Sequence, residues 1–104
     1  MSKASRDKGA RREREIVHAH LELGVTARRV PLSGASEGFP GDVLICLAGR
    51  QQPLVAECKA RANGEGFATL ERWLGRNDLM FLIRDRAEPM VVLSWATWAG
   101  LVKP

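Results

Sequence analysis

The chain has 104 residues, which is enough for one domain and too short for a second one. Sixteen Lys and Arg residues against twelve Asp and Glu residues give a net charge of +4, which suits a polyanionic partner such as nucleic acid. The two cysteines lie in apolar runs and are too few for a disulfide or zinc framework, and neither a membrane-spanning run nor a signal-peptide segment is recognisable. We therefore expect a cytoplasmic protein with reduced core thiols.

The first predicted element is a helix from about Ser5 to Gly24. Apolar residues recur along it at spacings of three and four, and Gly24 is suited to end it. Glu13 lies on the apolar stripe, whereas Glu15 lies about 200° further around the axis and is expected to face solvent. Because an unpaired buried charge is costly, Glu13 needs a partner or a metal ion. The alternative is a surface acid paired with a neighbouring arginine.

A β-hairpin is predicted after a first strand over residues 25–30 and a loop over residues 31–40. Asp42 opens one strand of the hairpin, and the antiparallel partner is predicted to run through Glu57 to Lys59, two residues that share a face. The three charges would then converge at one end of the hairpin. Two carboxylates and a lysine suit a divalent metal site. The alternative is a hairpin whose charged residues simply finish a strand at the surface.

In the second half of the chain, the sequence pattern predicts two short helices and two strands. These elements cover residues 68–75, 79–83, 90–93 and 95–101, in the order helix, strand, strand, helix, and Ser94 is suited to cap the last helix. Tryptophans 73, 95 and 98 stand at helical spacings among leucines and alanine, so packing in the core or in a dimer seam is favoured over stacking on bases. The two histidines, at positions 18 and 20, are expected to be surface or satisfied core residues.

Two sets of motifs resemble a known family. Asp42 followed by Glu57-Cys58-Lys59 resembles the PD-(D/E)XK nuclease signature, with Gly41 at the place where proline is often found. Lys8-Gly9, then Glu13-Arg14-Glu15-Ile16-Val17 and the Gly24-Val25 helix end, resemble the opening of archaeal-type Holliday junction resolvases. The resemblance covers roughly residues 8–60. It implies a single nuclease domain over residues 1–104, of the α/β class with a restriction-endonuclease-like core: a central mixed β-sheet flanked by helices, in the order αβββαββα.

The resemblance also implies a function and a site. The implied function is that of a homodimeric, Mg²⁺-dependent endonuclease that cuts branched DNA at four-way junctions, with Mn²⁺ able to substitute. The implied catalytic residues are Glu13, Asp42, Glu57 and Lys59, and the implied metal ligands are Glu13, Asp42, Glu57 and the backbone carbonyl of Cys58. The implied DNA-binding residues are Lys8, Arg11, Arg12, Arg14, Arg29 and Ser33, with Arg28 an alternative to Arg29 and an ordinary loop serine the alternative for Ser33.

Two further alternatives stay open at this point. The same site could cut other structured or duplex DNA, as the wider nuclease superfamily does. A non-catalytic DNA-binding module of the same fold is also possible, although its degenerate relatives would be expected to lack Asp42, Glu57 or Lys59. No membrane association is expected.

Overall fold

The computed structural model describes residues 3–30 and 41–104, without the side chains of residues 4–7. The predicted loop over residues 31–40, including Ser33, lies outside the described residues. The elements in chain order are α1 (Lys3–Glu22), β1 (Thr26–Arg29), β2 (Val43–Cys46), β3 (Leu54–Ala56), α2 (Phe67–Leu74), β4 (Leu79–Leu82), β5 (Met90–Leu93) and α3 (Trp95–Val102). The described residues therefore form a mixed α/β protein with antiparallel sheets.

The chain divides into two compact units. The first contains Met1–Ala60 with Val102–Pro104, and the second contains Arg61–Leu101. The first holds a three-stranded sheet in the order β1-β2-β3, and the second holds the pair β4-β5. The single nuclease domain over residues 1–104 stays a prediction.

Every strand pair among the described residues is antiparallel, which corrects the expectation of a mixed sheet for this part of the chain. The connections from β2 to β3 and from β4 to β5 are each seven residues long, because they cover residues 47–53 and 83–89. Parallel neighbours need a crossover of about a dozen residues or more, so these short connections allow only antiparallel pairing.

The core of the first unit lies where α1 packs on β1 and β2. Its buried apolar residues are Val17, Val25, Ala27, Val30, Val43, Leu44 and Ile45. Three successive buried residues in β2 show that this central strand is covered on both faces, whereas β1 alternates. His20 is also buried, and its Nδ1 lies 2.8 Å from the carbonyl oxygen of Ile16, so it is a satisfied core histidine as predicted.

The second unit has a thinner core, and none of its described residues is fully buried. Gly75 ends α2 with its N–H donating to the carbonyl of Glu71, and Ser94 caps α3 by accepting the N–H of Thr97 at 3.1 Å. Trp73 is 57% exposed and Trp95 is 45% exposed, so neither is a buried core residue, and their packing in a dimer seam stays a prediction. Among the described helices, none combines the length and the apolar character that a membrane crossing requires.

Candidate active site at the end of the three-stranded sheet

Asp42 is held at the sheet end by its own backbone. Its N–H donates to the carbonyl of Ala56 at 2.8 Å, and its carbonyl accepts the N–H of Val30 at 2.9 Å. These two bonds continue the pairing of β2 with both neighbouring strands by one residue. The Asp42 side chain therefore starts from a fixed backbone position.

Gly41 lets the chain approach its neighbour strand closely. A Cβ atom at this position would lie 2.6 Å from the carbonyl oxygen of Ala56 and 2.8 Å from Cγ1 of Val55. Real Cβ atoms do not come so close to backbone atoms, so only glycine fits without a shift of β3. This contact gives a physical reason for glycine where the nuclease signature often has proline, since proline also carries a Cβ.

The segment Glu57–Lys59 lies beyond β3, which ends at Ala56, so the prediction that the strand runs to Lys59 is wrong. The last pair is Val43 with Ala56. Past it, the N–H of Cys58 donates to Oδ2 of Asp42 at 2.9 Å. A side-chain carboxylate thus replaces a backbone carbonyl as the acceptor, and the ladder stops. This bond, rather than strand alternation, brings the segment to Asp42.

The Asp42 side chain acts on the carboxyl group of Glu57. Hydrogen bonding with Asp42, followed by the negative charge of Asp42, raises the pKa of Glu57, with smaller contributions from desolvation and from Glu13. The ammonium of Lys59 acts in the opposite direction and lowers that pKa. Two carboxylates that share one place are destabilised by their mutual repulsion unless a proton or a cation comes between them. Asp42 and Lys59 thus both act on the ionisation of Glu57, and the catalytic roles of the three residues stay predictions.

Glu13 is held by an ion pair with Arg29. Nε of Arg29 lies 2.9 Å from Oε1 of Glu13, and the side chains are 32% and 19% exposed, respectively. The partner that a half-buried acid requires thus comes from β1, sixteen residues along the chain. Glu15, in contrast, is exposed as predicted and pairs with Arg12 on the outer side of α1. The pairing also distinguishes the two arginines of β1, because Arg28 is exposed and makes no such contact with described residues.

The pKa of the Cys58 thiol is raised by burial and by three carboxylates. Burial raises the pKa of its thiol first, and the charges of Asp42, Glu13 and Glu57 raise it further, in that order. All three carboxylates thus act on the Cys58 thiol.

Both thiols are free, but Cys46 is exposed at the end of β2, so the prediction of a core thiol is wrong for that residue. Its strand ends there, and the next residues turn away into solvent.

The donor set at the sheet end fits a hard divalent cation in part. Asp42 and Glu57 both offer carboxylate oxygens, and Asp42 raises the pKa of Glu57, as expected for two acids whose negative charge a cation would neutralise. In the described part of the chain, however, no three His, Cys, Asp or Glu side chains meet as a ready metal-binding group. Glu13 pairs with Arg29, and its negative charge also acts on Glu57. The ligand roles of Glu13 and of the Cys58 carbonyl stay predictions.

The predicted DNA-binding residues of α1 differ in their exposure. Lys8 is half-buried, whereas Arg11, Arg12 and Arg14 are exposed. A shallow surface groove is lined by Arg11, Arg14, Glu15, His18, Ala19 and Glu22. Two glutamates balance two arginines in this groove, so its charge alone does not define a phosphate site.

Sequence reasoning missed three features of this site: the close approach at Gly41, the bond from the Cys58 N–H to Asp42, and the partner of Glu13. For the close approach at Gly41, the available signal was a glycine between a proline and an aspartate. The other two join residues sixteen positions apart, and no local pattern announces them.

The fold and the site together define a small α/β protein with an acidic, lysine-bearing candidate active site. Residues 4–94 match the family described as archaeal Holliday junction resolvase (hjc), and the chain belongs to this family. Membership implies Holliday junction resolvase activity and confirms the resemblance drawn from the motifs. A search of curated proteins found no match, and a search of solved structures found none either.

Proposed function

We propose that this chain cuts the phosphodiester bonds of Holliday junctions by the metal-dependent hydrolysis of a PD-(D/E)XK nuclease. The observation that carries the proposal is the bond from the N–H of Cys58, the residue between Glu57 and Lys59, to the Asp42 carboxylate, in a chain of the archaeal resolvase family. The restriction-endonuclease-like core is part of this proposal.

Asp42 and Glu57 would hold Mg²⁺, or Mn²⁺ in its place, with Glu13 and the carbonyl of Cys58 as further ligands. A divalent cation bound there supplies charge neutralisation and polarises the scissile phosphate. Lys59 orients the attacking water through its ammonium N–H groups. The N–H of Cys58 keeps the Asp42 carboxylate in one orientation. The entropy cost of orienting this carboxylate is therefore already met before the reaction begins.

Binding is proposed to rest on phosphate contacts and on the shape of the branched DNA. The net charge of +4 favours approach to a polyanion, and the exposed Arg11, Arg12 and Arg14 can reach phosphates. Lys8, Arg29 and Ser33 complete the proposed set, and Ser33 lies outside the described residues.

A homodimer is proposed as the working form, because a two-fold assembly can place two cuts symmetrically about a junction. Within the second unit, Phe81, Ile83, Met90 and Val91 are more than half exposed, which supports a protein contact. We propose that the protein acts in the cytoplasm, where its DNA substrate would be.

The nearest alternative keeps the same site and cuts other structured or duplex DNA. The non-catalytic alternative is disfavoured because the acids and Lys59 are present together and act on each other.

The test is cleavage of labelled four-way junction, flap, duplex and single-stranded DNA in Mg²⁺, Mn²⁺, Ca²⁺ or EDTA. Wild type is expected to cut the junction most efficiently in Mg²⁺ or Mn²⁺ and to bind without efficient cutting in Ca²⁺. Glu13→Gln should lose cleavage, whereas Glu15→Gln, on the outer side of the same helix, should keep it. Equal cleavage in excess EDTA refutes the metal mechanism, and equal cutting of every substrate refutes junction selectivity.

A further inference from the structure

The ion pair between Glu13 and Arg29 uses only one atom of the carboxylate and one N–H of the guanidinium. The contact joins Nε of Arg29 to Oε1 of Glu13, and it is the one ion pair or hydrogen bond that either side chain makes in the described part of the chain. A guanidinium carries five N–H groups, four of them on its terminal nitrogens. Those four donors, and Oε2 of Glu13, are therefore not engaged by described residues.

Arg29 stands next to the acidic cluster through the backbone of the sheet. It pairs with Val43, the residue after Asp42, and the following residue, Val30, donates its N–H to the Asp42 carbonyl. The Arg29 side chain is 32% exposed, so its outer edge can be reached from solvent. Arg29 thus connects α1, which carries Glu13, to the strand that leads from Asp42.

We propose that Arg29 is a positioning residue that couples DNA binding to the acidic site, with Nε orienting Glu13 while the terminal N–H groups bind a backbone phosphate. This inference rests on the proposed nuclease function and adds the coupling to it. Arginine suits the task because its planar guanidinium can bond on two edges at once, whereas the lysine ammonium is a point charge on a flexible stem.

The coupling has a thermodynamic consequence. A phosphate on the outer edge of Arg29 fixes the plane of the guanidinium and, through Nε, the direction of Glu13. Fixing Glu13 favours the binding of a divalent cation at the adjacent carboxylates, because the cation then loses less free energy in ordering the Glu13 side chain. By linkage, the cation must tighten DNA binding by the same factor.

The experiment measures junction affinity by fluorescence anisotropy, with the full-length chain, in metal-free buffer and in Ca²⁺. The ratio of the two affinities reports the coupling, and factors of about 5–150 are typical of linked sites. Wild type should show a ratio in that range, and Arg29→Lys should bring the ratio close to one. Arg50→Lys, an exposed arginine in the turn between β2 and β3, is the matched control and should keep the wild-type ratio.

Glu13→Gln completes a double-mutant cycle with Arg29→Lys. It lowers the ratio by itself because Glu13 is also a proposed metal ligand, so the informative result is that adding Arg29→Lys to it causes no further loss, whereas additive losses contradict the coupling. Thermal melts verify that each variant is folded.

An Arg29→Lys variant that keeps the wild-type ratio overturns the inference, even if its affinity for DNA falls in both buffers. A wild-type ratio of one overturns it as well. Calorimetry of Ca²⁺ with DNA-free wild type separates this from failure of the proposed function, because undetectable Ca²⁺ binding, together with EDTA-resistant cleavage, would refute the metal site itself.

Discussion

Asp42 has two roles that a single substitution can separate. Its carboxylate accepts the N–H of Cys58, which is a structural bond, and its negative charge also acts on Glu57, where the proposed cation would bind. An asparagine keeps an acceptor oxygen for Cys58 but removes the charge.

Asp42→Asn should lower cleavage of the junction by about 100-fold or more, because a charged ligand is lost. Junction affinity in Ca²⁺ should stay similar or rise slightly, because one negative charge is removed from a surface that approaches phosphates. Cleavage rates and gel-shift titrations measured side by side check this. Asp85→Asn, an exposed residue of the second unit, is the control, and wild-type turnover by Asp42→Asn would mean that the metal site is misplaced.

Gly41→Ala should destabilise the protein by about 1–3 kcal/mol, because the added methyl group would lie 2.6 Å from a backbone oxygen and β3 would have to shift. Urea unfolding followed by circular dichroism measures the effect. Gly9→Ala, inside α1 with no atom within 4 Å of the added Cβ, is the same chemical change and should be stabilising by about 0.5–1 kcal/mol. Equal effects of both substitutions would contradict the close approach.

At the scale of elements, the helices show how local signals set boundaries. Gly24, with φ of 84°, follows α1, and its N–H donates to the carbonyl of Leu21. Ser94 precedes α3, and its hydroxyl accepts the N–H of Thr97 while it donates to Oγ1 of the same residue at 2.9 Å. Each boundary depends on a residue within four positions of the helix end, which is why the sequence predicted both.

Ser94→Ala should destabilise α3 by about 1 kcal/mol, because the N–H of Thr97 loses its acceptor. Ser94→Asp, which restores an acceptor oxygen, should recover most of the loss. Denaturant unfolding of the three proteins measures the difference, and a fully stable Ser94→Ala variant would show that the cap contributes nothing.

At the scale of the whole molecule, charge and exposed apolar surface are the two features that bear on partners. The net charge of +4 predicts DNA binding that weakens as salt is added. The exposed apolar residues of the second unit include the cross-strand pair Phe81 and Val91, at 60% and 53% exposure. Single exposed apolar residues are common on proteins, but a cross-strand pair on one face is better suited to a contact.

Arg14→Ala should weaken junction binding and reduce the slope of log affinity against log salt by about one, because one phosphate contact is lost. Titrations at several salt concentrations in Ca²⁺ measure the slope. The control Arg50→Ala should leave the slope unchanged. An unchanged slope for Arg14→Ala would place Arg14 away from DNA.

Light scattering at micromolar concentration should give twice the 11.5 kDa mass of one chain if the homodimer forms. Phe81→Ser should shift the mass towards the monomer, whereas Leu21→Ser, at an exposed leucine of α1, should not. A strictly monomeric wild type with full junction cleavage would refute the dimer as the working form.

The sequence by itself determined the features that depend on neighbours along the chain. Periodicity located the helices and strands to within a few residues, and the position of Glu13 on the apolar stripe marked it as an acid in need of a partner. The hairpin placed Asp42 and Glu57 at a common end. The ordered motifs around Glu13, Asp42 and Lys59 were also sufficient to indicate the family.

Only the tertiary structure decided which groups meet across the chain. It selected Arg29 rather than Arg28 as the partner of Glu13, and it ended β3 at Ala56 because the N–H of Cys58 bonds to Asp42. It also showed that a side chain at position 41 would force β3 to shift. These outcomes depend on how α1 packs on the sheet and on distances between residues about fifteen positions apart, and sequence spacing alone does not specify such distances.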